Sequence, residues 1–87
     1  MSNADVRDEL AALQAQLDAG NIAVEEVGST FERLAWSLVD VGKQDDAALR
    51  GWVNDIERIR FTERQDDQMP AVAAVLRRAR PLFDRVA

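Results

Sequence analysis

The side chains with chemical capacity in this chain are mostly carboxylates and guanidiniums, and their spacing limits what they can do. Acidic residues come as adjacent pairs at Glu25-Glu26, Asp45-Asp46 and Asp66-Asp67. Such a pair can hold a hard divalent cation through its carboxylate oxygens. None of the three follows a calcium-loop pattern, and each falls at a helix start or in a solvated turn. Negative charge at a helix start is explained by the backbone dipole, so no metal ligands are assigned. Hydroxyls are present at Ser2, Ser29, Thr30, Ser37 and Thr62, but the chain has no histidine to activate them and Lys43 is its single lysine. Activation by an adjacent base is what makes a hydroxyl nucleophilic. With no cysteine and no glycine-rich phosphate loop either, the chain reads as a non-enzyme without a cofactor.

Arginine is the second chemical feature. Arg77, Arg78, Arg80 and Arg85 lie on the last helical segment, and Arg58, Arg60 and Arg64 just before it. Clustered arginine is the electrostatic footprint of phosphate binding. Against it stands a formal net charge of −5, together with the lack of a helix pair joined by the short glycine turn of a DNA-reading motif. Residues 1–57 carry 12 acidic and 4 basic side chains, residues 58–87 carry 7 arginines and 4 acids. An acidic whole repels nucleic acid and attracts basic partners, so nucleic acid ranks below protein as a partner. Alternatively, the two halves neutralise each other across the fold.

These groups must be positioned by four amphipathic segments. In the first, about Ala4 to Ala19, Val6, Leu10, Leu13 and Leu17 recur at alternating spacings of four and three, one face of a helix, and Gly20 supplies a left-handed stop. The second, about Val24 to Val41, repeats the pattern with Val27, Phe31, Leu34, Leu38 and Val41; Ala23 or Asn21 caps it and Gly42 ends it. The third starts after a cap at Asp45 or Asp46 and runs to about Arg60, with Leu49, Trp52, Ile56 and Ile59 as its stripe. A polar loop follows at Glu63 to Gln68, where Thr62-Glu63-Arg64-Gln65 matches a capping box. The fourth starts near Pro70, carries Val72, Val75, Leu76 and Ala79, and stops or kinks near Arg80 because Pro81 removes a backbone bond. Short links between four such helices predict an all-α, compact antiparallel four-helix bundle.

Eighty-seven residues form one domain, read as 4–87, because Ser2-Asn3-Ala4 resembles an expression-vector scar and Met1 to Asn3 are taken as a flexible end. A domain this size buries only about 60–65% of the surface that its unfolded chain exposes. Apolar residues make up 47% and charged residues 31%, a soluble globular balance. No apolar run has the length of a membrane span and no signal peptide is evident. The absence of cysteine fits a reducing compartment, and a cytoplasmic location is expected.

Trp36 is the clearest binding clue. If Phe31, Leu34 and Leu38 face the core, Trp36 points to the opposite side of the helix, with Val39 three residues on and Glu32 four residues back. Either the helix is central and buries two faces, or Trp36 and Val39 form an exposed contact strip. Tryptophan is enriched at binding hot spots. Self-association through the strip would make the protein a homodimeric regulator or accessory subunit.

The run Leu17-Asp18-Ala19-Gly20-Asn21-Ile22, then Glu25-Glu26 and Phe31, and later Leu49, Val53, Ile56-Glu57 and Ile59 before a polar loop, resembles the small helical immunity proteins that accompany bacterial toxins of the colicin and contact-dependent types. The resemblance implies a small acidic inhibitor that occludes a basic toxin domain by charge complementarity, which raises the association rate. For that role the acidic candidates are Glu25, Glu26, Glu32, Asp40, Asp45 and Asp46, with Trp36 as apolar anchor. The expected function is thus that of a non-enzymatic interaction protein, an immunity- or antitoxin-like inhibitor of a basic partner. Phosphate binding through Arg77, Arg78, Arg80 and Arg85 is the alternative.

Overall fold

Apolar spacing along the chain produces four helices in the computed structural model, which describes residues 1–87: α1 (Asn3–Asp18), α2 (Val24–Ser37), α3 (Lys43–Thr62) and α4 (Gln65–Val86). There is no strand. None of the helices is long and apolar enough to cross a membrane. The stripe Val6, Leu10, Leu13, Leu17 is fully turned inward and meets Val27, Phe31 and Leu34 of α2, Leu49 and Ile56 of α3, and Val72, Val75, Leu76 and Phe83 of α4. At its centre the Phe31 and Phe83 rings lie 5.9 Å apart at 49°, a tilted geometry that aromatic quadrupoles favour. Each helix touches two neighbours in the order α1, α2, α3, α4 and back to α1, and α2 also reaches α4. The radius of gyration of 12.3 Å equals the roughly 12 Å expected of one compact domain of this length.

Of Met1 to Asn3, expected to be a flexible end, Ser2 and Asn3 are bonded into the fold. Ser2 caps α1: its Oγ accepts the Asp5 N–H at 3.1 Å while the Asp5 carboxylate accepts the Ser2 N–H at 3.2 Å. This reciprocal box satisfies two amides that otherwise lack helical partners. Asn3 does more. Its Nδ2 donates to the carbonyls of Val39 and Val86, both at 3.0 Å, and its Oδ1 accepts the Val39 N–H at 2.9 Å. One side chain therefore joins the start of α1, the link after α2 and the last turn of α4.

That contact explains why α2 stops at Ser37 and not at Val41. In a longer helix the Val39 N–H would bond the Ala35 carbonyl; here Asn3 takes it, and Leu38 turns extended at φ −68°, ψ 139°. Asp40 then adopts φ 58°, the left-handed region that aspartate tolerates better than most residues. At the end of α1, Gly20 at φ 73° closes a Schellman motif, with its N–H on the Leu17 carbonyl and the Asn21 N–H on the Gln16 carbonyl. Ala23 precedes α2 as its cap without a side-chain hydrogen bond, and Asn21 takes no such part.

Four other boundaries depart from expectation. α3 starts at Lys43 with Gly42 as its cap, so Asp45 and Asp46 sit inside the first turn and do not cap it. Thr62 is the last residue of α3 and returns its hydroxyl to the Arg58 carbonyl at 2.8 Å, so no capping box forms there. α4 begins at Gln65, and the expected polar loop shrinks to Glu63 and Arg64. Pro81 does not end α4, which continues through both Pro70 and Pro81 to Val86. Each proline removes one N–H, at a cost of up to about 3 kcal/mol. Burial of Ala79, Leu82 and Phe83 around Pro81 offsets it, since burying each large apolar side chain contributes about 1.5–3 kcal/mol.

Candidate protein-binding face

The outer surface of α2 is built by the same periodicity that fills the core. Glu25, Ser29, Glu32 and Trp36 are spaced four, three and four apart and are all exposed, opposite Val27, Phe31 and Leu34. Trp36 is 48% exposed and Val39 56%. Of the two explanations for the second apolar strip, exposure applies. Val39, however, lies in the link beyond the helix and is held by Asn3, so the two residues are not successive turns of one helix.

α3 supplies the matching surface. Arg50, Asn54, Glu57 and Phe61 repeat the four-three-four spacing and are all exposed. Helices α2 and α3 meet at two levels. Near the end of α2 the Arg50 guanidinium lies 5.5 Å from the Trp36 ring centroid. Near its start, Gly28 faces Ile56 so closely that a Cβ there would stand 3.3 Å from Ile56 Cγ2. Between these levels is a cleft of about 230 Å³ with Gly28, Val53 and Ile56 as floor and Ser29, Glu32, Glu57 and Arg60 as walls.

The charges on this face are unequally engaged. Asp46 accepts the Arg50 Nε–H at 2.9 Å. Glu25, Glu32 and Glu57 take part in none of the protein's five ion pairs, which join Arg7 to Asp8, Arg33 to Glu9, Arg50 to Asp46, Arg58 to Asp55 and Arg85 to Asp45. Three carboxylates thus remain free to meet an external cation.

The six acidic candidates do not form one surface. Glu25 and Glu32 share the α2–α3 face with Trp36, and Asp46 borders it through Arg50. Glu26 lines a separate groove against α1 with Glu9 and Thr30. Asp40 is in the link. Asp45 is committed to Arg85 of α4 at 2.6 Å. Three acids converge on no common point that would hold a metal ion.

The arginines of α4 are dispersed as well. Arg77 and Arg80 line a cleft against α1 that Asp18 and Asp84 also line. Arg80 Nη1 donates to Oε1 of Gln14 at 3.3 Å, and its Nε is buried without a partner. Arg85 is paired with Asp45, which leaves Arg78 exposed apart from the Arg77–Arg80 cleft. The four guanidiniums do not make a single phosphate-binding patch.

Phe61 is the residue that sequence reasoning missed. At 77% it is the most exposed of the large apolar side chains. Its spacing from Arg50 and Glu57 was the available signal, hidden by its place beside the expected loop. The chain matches no family model, no curated protein and no solved structure.

Proposed function

We propose that this protein is a non-catalytic interaction module that holds a basic protein partner on its α2–α3 face, with Trp36 as the apolar anchor. The observation that carries this reading is the 48% exposure of Trp36 beside an ordered arginine. A large aromatic in that position gains little for the fold and much for a complex, where tryptophan and arginine dominate binding energies. Glu25, Glu32 and Glu57 add a field that speeds encounter with a cationic surface. The immunity-type resemblance supplies a form for the partner, a basic toxin domain in the bacterial cytoplasm. In this reading the short links at 19–23, 38–42 and 63–64 connect helices of alternating direction in an antiparallel four-helix bundle, and α4 bends at Pro81.

The test is retention of a partner by the wild-type protein and by Trp36→Ala at low and high salt, with thermal melts of both. The expected result is a basic protein bound by the wild type, lost with Trp36→Ala while the melting temperature falls by only about 4–8 °C, and weakened by salt. A large fall in melting temperature would make Trp36 a structural residue and end the reading. The exposure of Val39 supports a second possibility, self-association. Sedimentation of the purified protein distinguishes it, because a dimer abolished by Trp36→Ala would assign the strip to a second copy.

A further inference from the structure

Phe61 has no partner in the fold that accounts for it. The core side of α3 is Leu49 and Ile56, and Phe61 lies on the flank that carries Arg50 and Glu57, toward α2. Trp36 is level with Arg50, and Phe61 comes eleven residues after Arg50 on the same helix, about 16 Å along the axis at 1.5 Å per residue. The face therefore has an aromatic side chain near each end and a carboxylate-walled cleft between them.

We propose that this face takes one kind of occupant: a basic amphipathic helix of another protein, about three turns long, with apolar residues on Trp36 and Phe61 and a lysine or arginine in the cleft between Glu32 and Glu57. This rests on the reading of Trp36 given above and extends it with a second anchor and a defined ligand. Eleven residues separate the anchors in helical rise, so the occupant presents apolar residues at i and i+11, with its basic residues at i+4 and i+7 on the same face. The cleft suits a long cationic side chain, because Gly28, Val53 and Ile56 receive the methylene stem and the two glutamates receive the charged head. Neither glutamate is engaged by an internal cation within ion-pair distance. Arg60 stands at the Gly28 end, where its Cδ would be 4.0 Å from a Cβ. That places the occupant's basic residue toward Trp36 and favours a neutral or acidic residue over Arg60. A second copy of this face is a poor occupant, since its own free carboxylates would oppose each other.

The experiment is a titration of the isotope-labelled full chain, followed by amide shifts, with a synthetic fifteen-residue alanine-based helix. The probe carries leucine at positions two and thirteen and lysine at six and nine; its control carries glutamate in place of lysine. The lysine helix is expected to give saturable shifts confined to α2 and α3. Trp36→Ala and Phe61→Ala should each weaken it about tenfold or more, the scale of a binding anchor. Glu32→Gln with Glu57→Gln should weaken it and flatten its salt dependence. Circular dichroism melts verify that these surface variants remain folded. Equal binding of the glutamate helix, no shift with the lysine helix, or unaltered binding by Phe61→Ala would each overturn the inference. If Phe61→Ala binds normally while Trp36→Ala does not, the second anchor is wrong and the Trp36 reading survives. If partner retention by the wild type is also insensitive to Trp36→Ala, both fail.

Discussion

Arg50 lies over the indole of Trp36, 5.5 Å from the ring centroid, and Asp46 one turn earlier holds the guanidinium at 2.9 Å. The arrangement orders an exposed aromatic through two surface interactions. Each is worth little to the fold, about 0.5–1 kcal/mol for an exposed cation–π contact and less for an exposed ion pair. Asp46→Ala should therefore leave urea stability within about 0.5 kcal/mol of wild type while loosening Trp36. The check is indole fluorescence anisotropy in a Trp52→Phe background, where Trp36 is the single indole; it should fall, and an unchanged value would show that Asp46 does not order the ring.

Trp36 and Phe31 occupy the same helix with opposite consequences. Phe31 is fully buried against Phe83, so Phe31→Ala should cost about 3–5 kcal/mol. Trp36→Ala should cost about 1 kcal/mol, the loss of its stacked arginine and partial contact. Urea denaturation of the two variants side by side measures the difference, and equal losses would contradict the exposure of Trp36.

Asn3 makes three hydrogen bonds to backbone groups far away in sequence. Asn3→Ala removes all three, and with a net worth of about 1 kcal/mol each a loss of roughly 2–3 kcal/mol is expected. Asn3→Asp should also destabilise, because a carboxylate can still accept from Val39 N–H but cannot donate to the two carbonyls. Faster hydrogen exchange at the Val39 amide in Asn3→Ala is the direct readout.

Gly28 sits where α2 and α3 press together. In an open helix, Gly→Ala gains up to about 1 kcal/mol, but here the new Cβ would meet Ile56 Cγ2 at 3.3 Å. Ile56 is β-branched and buried, so it yields poorly. Gly28→Ala should therefore be neutral or destabilising in the wild type. In an Ile56→Leu background, which deletes the offending methyl, the same change should stabilise. A double-mutant cycle in urea isolates the coupling, and additive effects would refute the contact.

Pro81 is exposed within α4 and denies the Arg77 carbonyl its helical partner. Pro81→Ala should stabilise by about 2 kcal/mol, the helical cost of proline less the entropy that proline removes from the unfolded chain. Thermal unfolding provides the check. A destabilised variant would mean that proline shapes α4 to fit the core.

The apolar stripes were readable because burial imposes the helical period directly: Val6, Leu10, Leu13 and Leu17 are all buried, and Gly20 does stop α1. The end of α2 was not readable, since it depends on Asn3, which lies 36 positions away from Val39. Long separation also hid the fate of the acids. Asp45 finds Arg85 across 40 positions, which removes it from a surface that local charge alone would give it. The prolines misled in a different manner. The local cost of Pro81 was identified, but packing of the residues around it outweighs that cost, whereas Pro70 was read as a first helical residue and lies inside α4. Trp36 was legible as a helix-face residue opposite Phe31 and Leu34, whereas the pairing of its face with α3 required coordinates.

The Asn3 amide spans to the Val86 carbonyl at 3.0 Å, so residues near both extremities of the described chain form a seam. A short glycine-serine bridge from Ala87 to Met1 should permit circular permutation, with new ends opened at Glu63-Arg64, where the backbone has left both helices.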